Sequence, residues 1–200
     1  MKRSTNYCIA AISVVFSLSL GGCGSAPPRQ AAIPVPVEPV APVLIDEQTR
    51  SDFSLATSAL AAGRLEEAER MLVALTAAHP DLYGPYANLG IVYAREGNVE
   101  SAEKALQKAI TLKPGAVETY NQLGILYRNA GRFEDARKAY ERALEIDPKY
   151  ANAQLNIGIL YDLYLLDYKN AAKHYKRYQR LVPEKDEEVS MWIADLKRRQ

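Results

Sequence analysis

The side chains here that could do chemistry are two histidines, two cysteines and several carboxylate runs, and their spacing limits what that chemistry could be. His79 stands before Pro80, and His174 sits in "AAKHYKRYQ", which reads as a charged helix face. Neither has a cysteine or carboxylate partner at metal-ligand spacing, so no metal site is expected. Carboxylates gather in "LEEAER" and "EKDEEV", runs that suit solvated helix faces better than an acid–base pair. No nucleophile motif accompanies them. The expectation is a protein that is not an enzyme, with no catalytic residue, no cofactor and no small-molecule substrate.

The cysteines lead elsewhere. Lys2 and Arg3 precede the apolar run "YCIAAISVVFSLSL", about 14 residues against the roughly 20 of a spanning helix, so residues 1–22 have the layout of a secretory signal peptide. Leu20-Gly21-Gly22-Cys23 resembles the bacterial lipobox. That resemblance implies cleavage after Gly22, a covalent lipid such as palmitate on Cys23, and, with Gly24 rather than Asp next, a place in the outer membrane with the folded part facing the periplasm. The alternative is an ordinary signal peptide cut near a chance cysteine. Cys8 would leave with the signal, so no thiol pair would remain for a disulfide. Without Lys2 and Arg3 the 25 basic and 24 acidic residues leave a net charge of −1, and nothing attracts nucleic acid.

Residues 23–45 continue as a tether. "APPRQAAIPVPVEPVAPV" holds six prolines and no helical or strand period, and proline fixes φ and removes donors. At about 3.1 Å per residue this spacer reaches on the order of 60 Å. Its alternative role is a proline-rich ligand for a partner domain.

Beyond the tether the chain repeats. Leu89, Gly90, Tyr93, Gly97, Ala102, Ala109 and Pro114 recur as Leu123, Gly124, Tyr127, Gly131, Ala136, Ala143 and Pro148, each displaced by 34 residues. Within one unit Tyr120, Leu123, Gly124 and Tyr127 mark an apolar helical face, Gly131 breaks it, a second amphipathic stretch follows from Phe133 to Ile146, and Pro148 stops that. Each unit is a helix hairpin, and a lone hairpin cannot bury both faces, so copies must stack. Gly124 and Ala136 are small enough to let the two helices approach closely.

These residues resemble the tetratricopeptide repeat (TPR). The resemblance implies an all-α, right-handed superhelical solenoid of about four hairpins plus a capping helix. Its units are a degenerate first repeat (49–82), two near-complete repeats (83–116 and 117–150), a fourth repeat with one inserted residue in "DLYLLDY" (151–185), and the cap (186–200). Twelve of the thirteen tyrosines lie from Tyr83 to Tyr178, mostly at packing positions, and Tyr164 beside the insertion escapes that explanation. Tyr178 stands where earlier repeats have Ala109 and Ala143, which relaxes or rebuilds the contact there.

In this family the first helix of each hairpin lines a groove for a peptide or partner helix. On that face helical geometry places Asn88, Ile91 and Arg95; Asn121, Gln122, Ile125, Arg128 and Asn129; and Asn152, Leu155, Asn156 and Ile159. Asn88, Gln122 and Asn156 lie one repeat apart, and an amide ladder suits the backbone of an extended peptide, with the isoleucines accepting apolar side chains. The alternative is that the amides satisfy their own backbone and the isoleucines seal the groove. The lysines of the carboxylate clamp known in some family members are missing, since Phe53, Thr57, Ala87 and Glu118 stand there, and Arg95 and Arg128 leave a weaker basic option. The expected function is a non-catalytic scaffold or assembly adaptor of the Gram-negative cell envelope, resembling pilotin-type lipoproteins of type IV pilus secretins or adaptors of peptidoglycan enzymes. An accessory part of an energised transport or motility complex is the alternative.

Overall fold

The computed structural model describes residues 45–199, so the signal peptide, Cys23 and nearly all of the tether lie outside the described residues. Among those described there are nine helices and no strand: α1 (Glu47–Ala61), α2 (Leu65–Ala78), α3 (Tyr83–Arg95), α4 (Val99–Leu112), α5 (Val117–Asn129), α6 (Phe133–Ile146), α7 (Ala151–Leu163), α8 (Tyr168–Gln179) and α9 (Glu187–Arg199). Consecutive helices pair as hairpins, the second helix of each packs on the first helix of the next, and α1, α3, α5 and α7 lie side by side. The result is a helical solenoid with α9 against α8.

Local sequence sets each boundary. Asp46, Asn98 and Asp167 accept from the first-turn N–H groups of α1, α4 and α8, satisfying donors that a helix start leaves open. At the hairpin turns Gly63, Gly97 and Gly131 take φ of 75°, 79° and 74°. The next residue in each case, Arg64, Asn98 or Arg132, returns its N–H to a carbonyl five residues back. The fourth turn differs. Its left-handed residue is Leu166, φ 54°, and Asp167 reaches six residues back, to the Tyr161 carbonyl at 2.9 Å. That longer reach absorbs the extra residue, at a backbone cost of about 1–2 kcal/mol for a leucine.

Inside the hairpins the close approach is real. A Cβ at Gly90 would stand 2.5 Å from Leu106 Cγ, one at Gly124 2.5 Å from Tyr140 Cδ1, and one at Gly158 2.7 Å from Tyr175 Cδ1. Leu106, Tyr140 and Tyr175 are at most 1% exposed. Neighbouring repeats are also linked through a polar network. Glu103 of α4 accepts from Arg132 at 2.6 Å and from the Tyr127 hydroxyl at 2.7 Å, while the Arg132 guanidinium lies 4.1 Å from the Tyr127 ring centroid. The Arg132 bond holds the Glu103 carboxyl below its usual range, while burial and Glu103 push Tyr127 up to about 12.

Both histidines serve packing. His79 Nε2 lies 3.0 Å from Thr49 Oγ1, tying the end of α2 to the start of α1. His174 corrects the reading of its helix as a charged face: it is buried, donates from Nδ1 to Gln154 Oε1 at 2.8 Å and stacks on Tyr161. Gln154 in turn donates to the Pro148 carbonyl at 3.0 Å. Tyr178, in place of the earlier alanines, is half-buried and donates to Asp186, so the contact there is rebuilt toward α9.

Two outcomes follow from this packing. Gly124→Ala is expected to cost about 1–3 kcal/mol by overpacking although alanine is the better helix former, whereas Gly115→Ala, with nothing near its Cβ, should be neutral or stabilising. Urea unfolding of the pair checks this, and equal midpoints would contradict the close contact. Burial, then the charges of Arg177 and Lys173, push His174 down from 6.5 to about 4. The unfolded chain therefore binds this proton first, and stability is lost as pH falls from 6.5 toward 4, by on the order of 2–3 kcal/mol. His174→Gln should flatten the urea midpoint between pH 6.5 and about 5, above most carboxylate titration.

Candidate functional site

The surface that could act on a partner is built by α1, α3 and α5. Ridges of side chains on adjacent first helices leave two hollows between them. One, of about 430 Å³, is lined by Phe53 of α1, Pro85, Asn88 and Ile91 of α3, and Thr119 and Gln122 of α5, with Arg50 and Glu118 also on its lining. The other, of about 610 Å³, is lined by Leu60, Ile91, Arg95, Gln122, Ile125 and Asn129, among others. Ile91 and Gln122 belong to both, so the two form one groove across the first helices of three hairpins. Its walls are mainly apolar, and the Gln122 amide has no hydrogen-bond partner among the described residues. A groove of this kind takes apolar side chains and offers a few polar points to fix their register.

The residues expected in the groove do not share one environment. Asn88, Ile91, Arg95, Gln122, Ile125 and Asn129 line it. Two of these spend their polarity within the fold: Asn88 donates to the Gly84 carbonyl at 3.1 Å, and Arg95 donates to the Leu60 carbonyl at 2.8 Å, capping α1. Asn121 is only 3% exposed and accepts from Asn156 Nδ2 at 2.9 Å, a bond from α7 to α5 that engages one rung of the supposed ladder with the neighbour of another. Asn152 is exposed beside Tyr150. Leu155 and Ile159 pack into the cluster of α7, α8 and α9 around Tyr175, Val189 and Leu196. Ile159 lines a separate hollow there with Trp192 and Met191.

Arg128 lies apart from the groove. Its Nε and Nη1 are buried with no acceptor among the described residues, and so is the Tyr140 hydroxyl. Its charge acts on Tyr140, which burial nonetheless pushes up to about 12. It acts in the same sense on Tyr175, whose hydroxyl donates to Asp162. Sequence spacing missed the members that shape the first hollow, Pro85 and Thr119. It found Phe53 only as a departure from the clamp. Pro85 and Thr119 each stand one helical turn before an amide, Asn88 on α3 and Gln122 on α5.

Among the described residues no group of His, Cys, Asp and Glu side chains is placed to hold a metal, and no helix is long and apolar enough to cross a membrane.

Comparison with known proteins agrees with this architecture. A tetratricopeptide repeat family model matches residues 81–149 and 115–184, more than half of the chain together, and a second model of the same repeat matches residues 49–74. No curated protein matches. Among solved structures, that of pilF from Pseudomonas aeruginosa superposes with a TM-score of 0.70 at 21% identity, covering 77% of this chain and 69% of that one. A thermophilic TPR protein from Thermus thermophilus gives 0.63 at 21%, covering 76% and 82%. An O-GlcNAc transferase from Thermobaculum terrenum gives 0.62 at 22%, over 68% of this chain but 27% of that one. At these identities the likeness is one of fold. A 34-residue period, the stacked hairpins that it specifies and the match of the repeat over most of the helical region leave one assignment: this chain belongs to the tetratricopeptide repeat family, whose members generally mediate protein–protein interaction without catalysis.

Proposed function

We propose that the chain is an outer-membrane lipoprotein whose groove holds an extended peptide or a helix of a larger envelope assembly, with secretin assembly for type IV pili as the first candidate and an adaptor of peptidoglycan enzymes as the second. The observation that carries the interaction is the continuous apolar groove of α1, α3 and α5, with Ile91 and Gln122 shared by both hollows. An extended segment lying across three hairpins would bury apolar side chains beside Ile91 and Ile125 and meet the Gln122 amide with its backbone. Asn121 and Asn156 are engaged with each other, so register along the groove falls to Gln122 and Asn129. The anchoring rests on the sequence: the lipobox-like Leu20 to Cys23, followed by a proline-rich spacer.

Two experiments separate the parts of this reading. Cys23→Ser is expected to abolish incorporation of labelled palmitate and leave the precursor uncleaved; normal labelling contradicts the anchor. Gln122→Trp fills the groove from a half-exposed position and should reduce secretin multimers on immunoblots by about tenfold or more, as loss of a central contact does. Lys138→Trp, on an exposed part of α6, should leave them unchanged, and both variants should melt with the parent. Equal multimer levels in all three would contradict secretin assembly through the groove.

A further inference from the structure

α8 has a charge pattern unlike its neighbours. From Tyr168 to Arg180 it carries Lys169, Lys173, Lys176, Arg177 and Arg180 and no carboxylate. Steps of four, three, one and three residues put all five on one stripe, about 100° wide and about 16 Å long by helical geometry. All five are exposed, while Ala171, Ala172, His174 and Tyr175 are buried opposite. The ion pairs among the described residues involve other cations, so the stripe is unneutralised.

The loop that leads into this stripe is apolar and exposed. Leu163, Tyr164, Leu165 and Leu166 are 61%, 43%, 36% and 63% exposed, four consecutive large apolar residues in water. Tyr164 is propped on Phe133, with ring centroids 4.8 Å apart. The acids on either side are held in place, Asp162 accepting from the Tyr175 hydroxyl and Asp167 capping α8 through Asn170, and they set two negative charges against the five cations of the stripe. Where the three other hairpins turn on glycine, this one holds Leu166 in a left-handed conformation. A left-handed, solvent-exposed leucine costs backbone strain without any packing gain, and the row of free cations beside it suits a cover that is both apolar and anionic.

We propose that the α7–α8 loop and the outer stripe of α8 dock on an anionic lipid bilayer. The leucines and Tyr164 enter the boundary between headgroups and acyl chains, and the five cations meet the phosphates. A lipid surface fits better than a protein partner on two counts. Tyr164, Leu165 and Leu166 stand on a loop, outside the hollow of Ile159, Met191 and Trp192 that Leu163 of α7 borders, so they need an apolar phase but no complementary contour. Three of the five cations are lysines, point charges that suit a diffuse negative field and not a bidentate partner. This contact is independent of both the groove and Cys23.

Hydrogen–deuterium exchange of the full chain tests it, because the readout is local and any anchoring by the N-terminal region does not mask it. With vesicles of phosphatidylcholine plus phosphatidylglycerol, exchange in residues 163–168 and along α8 should slow, and high salt or vesicles of phosphatidylcholine alone should remove the effect. Lys173→Glu with Lys176→Glu should weaken that protection by more than about tenfold, at roughly fivefold per charge. Leu165→Ser with Leu166→Gly, which relieves the left-handed leucine and so keeps the fold, should abolish it. Unchanged loop exchange with the vesicles that contain phosphatidylglycerol overturns the proposal. So does protection that appears at high protein concentration without vesicles, which assigns the surface to a second copy, or protection produced only by an acidic protein.

Discussion

A helix backbone without a side chain, pressed against a large side chain of the next helix, sets the geometry on which everything else here depends. Gly90 against Leu106, Gly124 against Tyr140 and Gly158 against Tyr175 fix how closely each hairpin closes. The first hairpin is looser: Ala56, fully buried, takes the glycine position, and its register partner is Leu72, the same residue type that Gly90 meets in Leu106. Hairpins that close alike stack alike, and the spacing of α1, α3 and α5 that results is what leaves a groove between them.

Polar contacts adjust this frame without creating it. Most ion pairs lie within one exposed helix, three or four residues apart, and such pairs contribute at most about 1 kcal/mol. Glu103 with Arg132 and Tyr127 is of another kind, because it joins one repeat to the next. The bond from Asn156 to Asn121 does the same one step further along, and His174 with Gln154 closes the fourth hairpin from inside. These links hold repeats in register while leaving Ile91, Gln122 and Ile125 available at the groove.

The fold was legible because two adjacent units repeat at seven or more positions with a constant displacement, and because each of those residue types has a packing reason. α8 begins at Tyr168, 35 residues after α6 begins at Phe133, whereas α6 begins 34 residues after α4 begins at Val99. Individual side-chain environments were harder to read. His174 was read from its charged neighbours, although it shares a helical face with Ala171, Tyr175 and Tyr178, which is the face that packs. The amide ladder assumed that residues 34 apart stay equivalent, yet the contact that forms runs from Asn156 to Asn121, 35 apart, because stacked hairpins are offset as well as repeated. Leu155 and Ile159 were assigned to an open face, but α9 falls outside the 34-residue pattern and covers them.

The central claim is that the groove of α1, α3 and α5 is where this protein meets its partner. In-cell photo-crosslinking from a probe at Gln122, with a matched probe at the exposed Lys138, tests it most directly, with adducts read by mass spectrometry. The expected result is an envelope protein captured through a short segment from Gln122 and absent from Lys138. Adducts from Lys138 alone, or none from Gln122 in cells where the protein is functional, would contradict it and make the groove a by-product of hairpin packing.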